Sequence, residues 1–100
     1  MMEKEKNEGI IRTERRSRDG WEYTYILSVS LSRMTASYSL PLYSVSVELS
    51  HRTMGKTNEV LKDAFSDIGK AMEFFETAVA HLVTPIDLRY VFEDMISVKI

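Results

Sequence analysis

Two stretches of this chain alternate strictly between apolar and polar residues. From Trp21 the odd positions read Trp21, Tyr23, Tyr25, Leu27, Val29 and Leu31, and between them stand Glu22, Thr24, Ile26, Ser28, Ser30 and Ser32. From Tyr43 the odd positions read Tyr43, Val45, Val47 and Leu49, separated by Ser44, Ser46, Glu48 and Ser50. Successive side chains of a strand point to opposite faces, so each run is a strand with one apolar face and one small, hydroxyl-rich face. The apolar face must find cover; the hydroxyl face is at ease in water or against another flat surface.

The remaining elements follow from local signals. Ile10 to Arg16 reads as a first short strand, because Asp19-Gly20 is a hairpin turn signal just before Trp21. The second strand then runs from Trp21 to about Arg33. Met34 to Leu40 reads as a connection, with Pro41 at the start of the third strand, where its missing donor costs little. That strand runs to about His51. Arg52 to Lys56 contains Gly55 and reads as a turn, and Asn58 to Phe65 alternates weakly, as an edge strand leading into a helix would.

Helical periodicity takes over after Phe65. Ile68, Ala71, Met72, Phe75, Ala78, Val79 and Leu82 recur at steps of three and four, one apolar stripe about four turns long. Ser66 or Asp67 supplies the N-cap oxygen. A second helix opens at Thr84-Pro85-Ile86-Asp87, with threonine at the cap, proline in the first turn and an acid following. Its apolar positions are Leu88, Val91, Phe92, Met95 and Ile96. Strands first and helices last give an α+β fold: an antiparallel sheet of three to four strands packed on one face by two C-terminal helices. Residues 1–9 read as a disordered tail and residues 10–100 as a single domain.

Composition narrows the chemistry. The 100 residues include no cysteine, which excludes disulfides, thiolate metal sites and thiol catalysis. The first residues are charged, without the apolar stretch of a secretory signal, and no apolar run approaches the ~20 residues that span a bilayer. A cytoplasmic protein with no membrane association is the expectation. Net charge is −2, divided unevenly: residues 9–56 carry +3 and residues 57–100 carry −4. A basic sheet beside an acidic helical half is a modest asymmetry, short of a dedicated polyanion binder.

The C-terminal residues carry a resemblance. Val83-Thr84-Pro85-Ile86-Asp87-Leu88, followed by Val91-Phe92-Glu93-Asp94-Met95-Ile96, resembles a family of small Firmicute proteins of unknown function. That family has a strand-rich first half, a helix, a Val-Ser/Thr-Pro-Ile/Val-His-Leu segment and a Val-Val-Glu-Asp-like ending. The likeness extends over residues 20–97 and is most specific in the last dozen. Asp87 stands where the pattern has histidine. The resemblance implies the α+β layout and a bacterial cytoplasm, and implies no activity.

Four groups of residues are candidates for function. Asp87 and Asp94 stand two helical turns apart, so their carboxylates share a face and could bind a cation or act as acid and base. The structural alternative makes Asp87 a helix cap, with Glu93 paired to Arg89 across one turn. His51 and His81 are the two histidines; nothing brings them together, and His81 suits the negative end of a helix. Ser28, Ser30, Ser44 and Ser46, with Ser32, lie on the hydroxyl face without a nucleophile elbow or a glycine-rich loop. They suit close packing against another sheet, hence a homodimer. Arg12, Arg15, Arg16 and Arg18, followed by Trp21, Tyr23 and Tyr25, resemble a basic patch interleaved with aromatics, the composition of a single-strand binder. Those aromatics, however, occupy the face that the helices should bury, and a stacking platform cannot also be a core. Nucleic acid is therefore an unlikely partner.

The expectation for function is a non-enzymatic protein–protein interaction or regulatory accessory protein, working as a homodimer, with a further protein partner possible and no cofactor or metal. The alternative is a small nucleic-acid or ligand-binding module using the arginine-rich hairpin.

Overall fold

The computed structural model describes residues 9–35 and 38–98. Four strands, β1 (Gly9–Arg18), β2 (Trp21–Thr35), β3 (Tyr38–His51) and β4 (Gly55–Phe65), are followed by two helices, α1 (Ile68–Ala80) and α2 (Pro85–Val98). The strands form one antiparallel meander in the order β1-β2-β3-β4. Both helices pack on one face: α1 against β2, β3 and β4, and α2 against β3 and β4. This is the α+β arrangement expected from the two periodicities.

Register explains which residues become core. Tyr25 pairs with Val47 and Leu27 with Val45, and Val45 in turn pairs with Leu61. Those five side chains, with Ala71, Phe74, Phe75, Ala78 and Leu88 from the helices, are each at most 2% exposed. The Tyr25 hydroxyl would be costly there without a partner; it donates to the Val83 carbonyl at 2.9 Å. Burial pushes its phenol pKa up, with Tyr23 adding to the effect. Phe65, Phe74 and Phe92 close one end of the core, with Phe92 edge-on to both of the others at 5.4 and 5.9 Å.

The termini of the elements obey the local chemistry. Asp67, the second of the two expected caps, accepts from the Gly69 amide at 2.8 Å. Thr84 Oγ1 donates to the Asp87 carboxylate at 3.2 Å and accepts from the Asp87 amide at 3.4 Å, so cap and acid satisfy one another. At the β1–β2 turn both Asp19 and Gly20 have positive φ, 55° and 84°. A side chain at Gly20 would also meet the His51 ring at 3.2 Å, so two constraints hold glycine there.

Several boundaries differ from the expectation. β1 runs two residues past Arg16, and Gly9 opens it; the rest of the expected tail, residues 1–8, lies outside the described residues. β3 begins at Tyr38 rather than Pro41, because the β2–β3 pairing continues to Thr35 opposite Tyr38. Pro41 is tolerated inside the strand because β4 pairs with β3 only from Tyr43 onward, which leaves one side of β3 free at that level. β4 starts at Gly55, three residues before the weak alternation begins. Phe74 was absent from the expected helical stripe yet is fully buried, whereas Ile68 at its start is 43% exposed.

Candidate interaction surface

The sheet is much longer than its cover. A strand of 15 residues, the length of β2, spans about 50 Å, while helices of 13 and 14 residues span about 20 Å. The molecule is accordingly a slab of 49 × 38 × 17 Å. On the helical side the cover is central: Trp21, at the sheet's end, is half-buried and rests on the His51 ring at 4.7 Å. On the other side no element among the described residues covers the sheet.

That open face can be read row by row from the pairing. Nearest the β1–β2 turn lies Ser17–Glu22–Ser50–Lys56, then Arg15–Thr24–Glu48–Asn58. Next come Thr13–Ile26–Ser46–Val60 and Ile10–Ser28–Ser44, and beyond them the pairs Ser30–Leu42 and Ser32–Leu40. The charges are segregated. The first two rows hold Arg15, Glu22, Glu48 and Lys56, with Lys56 Nζ 3.1 Å from Glu48. The remaining rows hold hydroxyls and aliphatics, with Asp63 and the exposed Lys62 of β4 beside them.

Asp63 reaches this face through a bulge. Between Tyr43 and Val45 β3 advances two residues while β4 advances four, from Leu61 to Phe65. Asp63 takes up the slack with φ 52°, a left-handed conformation that aspartate tolerates better than most residues. Its amide donates to Ser44 Oγ at 2.8 Å, and Ser30 Oγ donates to its carboxylate at 3.1 Å. Two of the face's serines are therefore fixed by the bulge. The alternation signal carried no hint of Asp63; its break within β4 was the available clue.

The structure brings Ser28, Ser30, Ser44, Ser46 and Arg15 onto this one face. It separates the arginines. Arg12 and Arg16 pair with Leu27 and Tyr23, so they point to the helical side. Arg12 donates to Glu14 and to Glu76 of α1, both within 3.3 Å, and lies 5.3 Å from the centre of the Phe75 ring. These bonds hold the guanidinium pKa above its ordinary value. Arg16 donates to Glu14 at 3.1 Å, and the bonds from Arg16 and then Arg12 hold the Glu14 carboxyl below the usual range. Arg12 and Arg16 thus close the β1 side of the core by ion pairing.

Asp87 and Asp94 lie elsewhere, on α2. With His81, Leu82, Tyr90 and Glu93 they border a shallow surface depression at the α1–α2 corner, so the two carboxylates do share a face. Among the described residues no group of three or more His, Asp or Glu side chains is arranged to hold a metal. Arg89 pairs with Glu59 of β4 at 2.7 Å rather than with Glu93, which ties α2 to the sheet instead of stapling one turn of the helix.

A protein-family model described as a family of unknown function, DUF6514, matches residues 4–98. The chain belongs to that family. The match to DUF6514 spans strands and helices alike, so the meander and its helical cover form one family unit. No curated protein and no solved structure matches the chain. Among the described residues of this DUF6514 chain no helix is long and apolar enough to cross a membrane.

Proposed function

We propose that this protein is a non-enzymatic interaction or regulatory accessory protein of the bacterial, Firmicute cytoplasm, and that it works as a homodimer. The observation that carries the reading is the open sheet face. An antiparallel sheet commonly leaves one face to water. Such a face is then polar along its whole length, and this one is not: Ile10, Ile26, Leu40, Leu42 and Val60 stand on it among serines. Ile10 is 65% and Val60 45% exposed in the single chain. Small hydroxyls among aliphatics suit a flat protein surface better than a ligand pocket, because they allow backbones to approach closely and leave few groups to desolvate.

The arginine hairpin gains no comparable support as a nucleic-acid site, since Arg12 and Arg16 are committed to Glu14 and Glu76 on the opposite face. Light scattering on a sizing column across a range of concentrations tests the reading. A mass twice the 11.6 kDa of the chain is expected. A single-chain mass at every concentration, up to the highest attainable, would contradict it.

A further inference from the structure

The open face is complementary to itself, and the manner of the fit follows from the cross-strand pairs. Resting on the homodimer reading above, we infer that a second copy covers this face, sheet upon sheet, about a two-fold axis that runs along the strands between β2 and β3.

Such an axis lays β2 of one copy over β3 of the other, and β1 over β4, with rows kept level. The pairing then sets an aliphatic side chain on a hydroxyl at Ile26, Leu42, Leu40 and Val60, while Ser28 falls on Ser44 and Ile10 lies over the Asp63 bulge of the second copy. Ile26 and Ser46 are neighbours within the sheet, so Ile26 falls on Ser46 of the second copy, and the reverse. Leu42 falls on Ser30, Leu40 on Ser32 and Val60 on Thr13 of the second copy, by the same rule. Each of these four aliphatic side chains enters the space above a hydroxyl, which is how two sheets interdigitate at about 10 Å. Aligned sandwiches cross at about 30°, so this matching holds best in the central row, where Ile26 and Ser46 lie.

Charge follows the same symmetry. Arg15 comes over Asn58 of the second copy, beside its Glu48, and Glu22 comes over Ser50 of the second copy, beside its Lys56. The two charged rows therefore meet with opposite signs adjacent, at one end of the contact where water and salt reach them. Area is also sufficient. Four strands about 4.8 Å apart and averaging about 12 residues present roughly 800 Å², close to the ~800 Å² per partner of a standard stable interface.

Sedimentation equilibrium on the 100-residue chain and four variants tests the arrangement, with circular dichroism to check that each folds. Ile26→Glu places a charge at the centre and is expected to weaken the dimer on the order of 100-fold. Ser46→Ile sets isoleucine against isoleucine and is expected to weaken it on the order of 10-fold. The exchange Ile26→Ser with Ser46→Ile restores large upon small and is expected to return affinity to within a few-fold of the native chain. Should Ile26→Glu fail to fold, Leu42→Glu carries the same expectation as Ile26→Glu. A dimer whose affinity is unchanged by folded Ile26→Glu and Ser46→Ile overturns this arrangement while leaving the homodimer intact. An exchange that does not restore affinity also overturns it. A native chain that never dimerises removes both.

Discussion

Tyr25 and Ile26 are consecutive residues of one strand, and they have opposite fates. Tyr25 is fully buried beneath the helices, bonded to the Val83 carbonyl, while Ile26 lies half-buried on a face that no element among the described residues covers. The same contrast separates Val45 from Ser44 and Val47 from Ser46. The covered face is made of side chains that differ in size and must fit two particular helices. The open face is made of small hydroxyls with a few aliphatics spaced between them, a surface that fits another of its own kind. Alternation alone therefore does not define inside and outside: the apolar positions specify the fold, and the polar positions carry a pattern of their own, which the proposed homodimer would use.

The contrast is broken most directly by removing side chains from each face in turn. Phe74→Ala, which empties the junction of Phe65, Phe92 and α1, is expected to cost about 3–5 kcal/mol of folding stability in denaturant titration. Leu27→Ala is expected to cost about 2–5 kcal/mol in the same measurement. Its neighbour Ile26→Ala, measured at concentrations low enough to hold single chains, is expected to cost well under half as much. Equal losses at positions 26 and 27 would mean that both faces serve the monomer's core, and the distinction would fall.

Much of this was legible in the sequence because period two survives any detail of packing. The six-residue apolar series from Trp21, the helical stripes, and the caps at Asp67 and Thr84 each rest on local geometry that the chain cannot evade. Where the reading fell short, the cause was tertiary. Phe74 lies beside the expected stripe, but Phe65 at the end of β4 and Phe92 of α2 close over it, which buries a wider arc of α1 than one stripe. Arg89 turned to Glu59 because the docking of α2 on β4 brought a carboxylate nearer than Glu93. The arginines of β1 resemble one patch in spacing alone. Positions 12 and 15 stand three apart in an unbroken stretch of strand and so fall on opposite faces, Arg12 opposite Leu27 and Arg15 opposite Thr24. At Asp63 the broken alternation of β4 is the one sign in the sequence, since bulges answer to the neighbouring strand.

Smaller effects sharpen the comparison. Tyr25→Phe leaves the Val83 carbonyl without its donor and is expected to cost about 1–3 kcal/mol. It should also change the alkaline limb. The buried phenol titrates above its ordinary value, so its contribution is complete below about pH 10 and is lost as pH rises beyond that. Thermal melts of the native chain should therefore fall more steeply above pH 10 than those of Tyr25→Phe. At the other extreme, Glu14 titrates below the usual carboxylate range. Its contribution is present above about pH 4 and is lost as pH falls through the folded value. Glu14→Gln should flatten the acid limb of the stability profile, a small effect because the ion pairs at Arg12 and Arg16 are open to solvent.

Small-angle scattering on the native chain tests the central claim most directly, because it reads mass and thickness together. A sheet-upon-sheet pair should show twice the single-chain mass and a shortest dimension raised from 17 Å to about 40 Å, with helices outermost on both sides. A single-chain mass, or a doubled mass in a particle still 17 Å thick and lengthened across its edges, would contradict it.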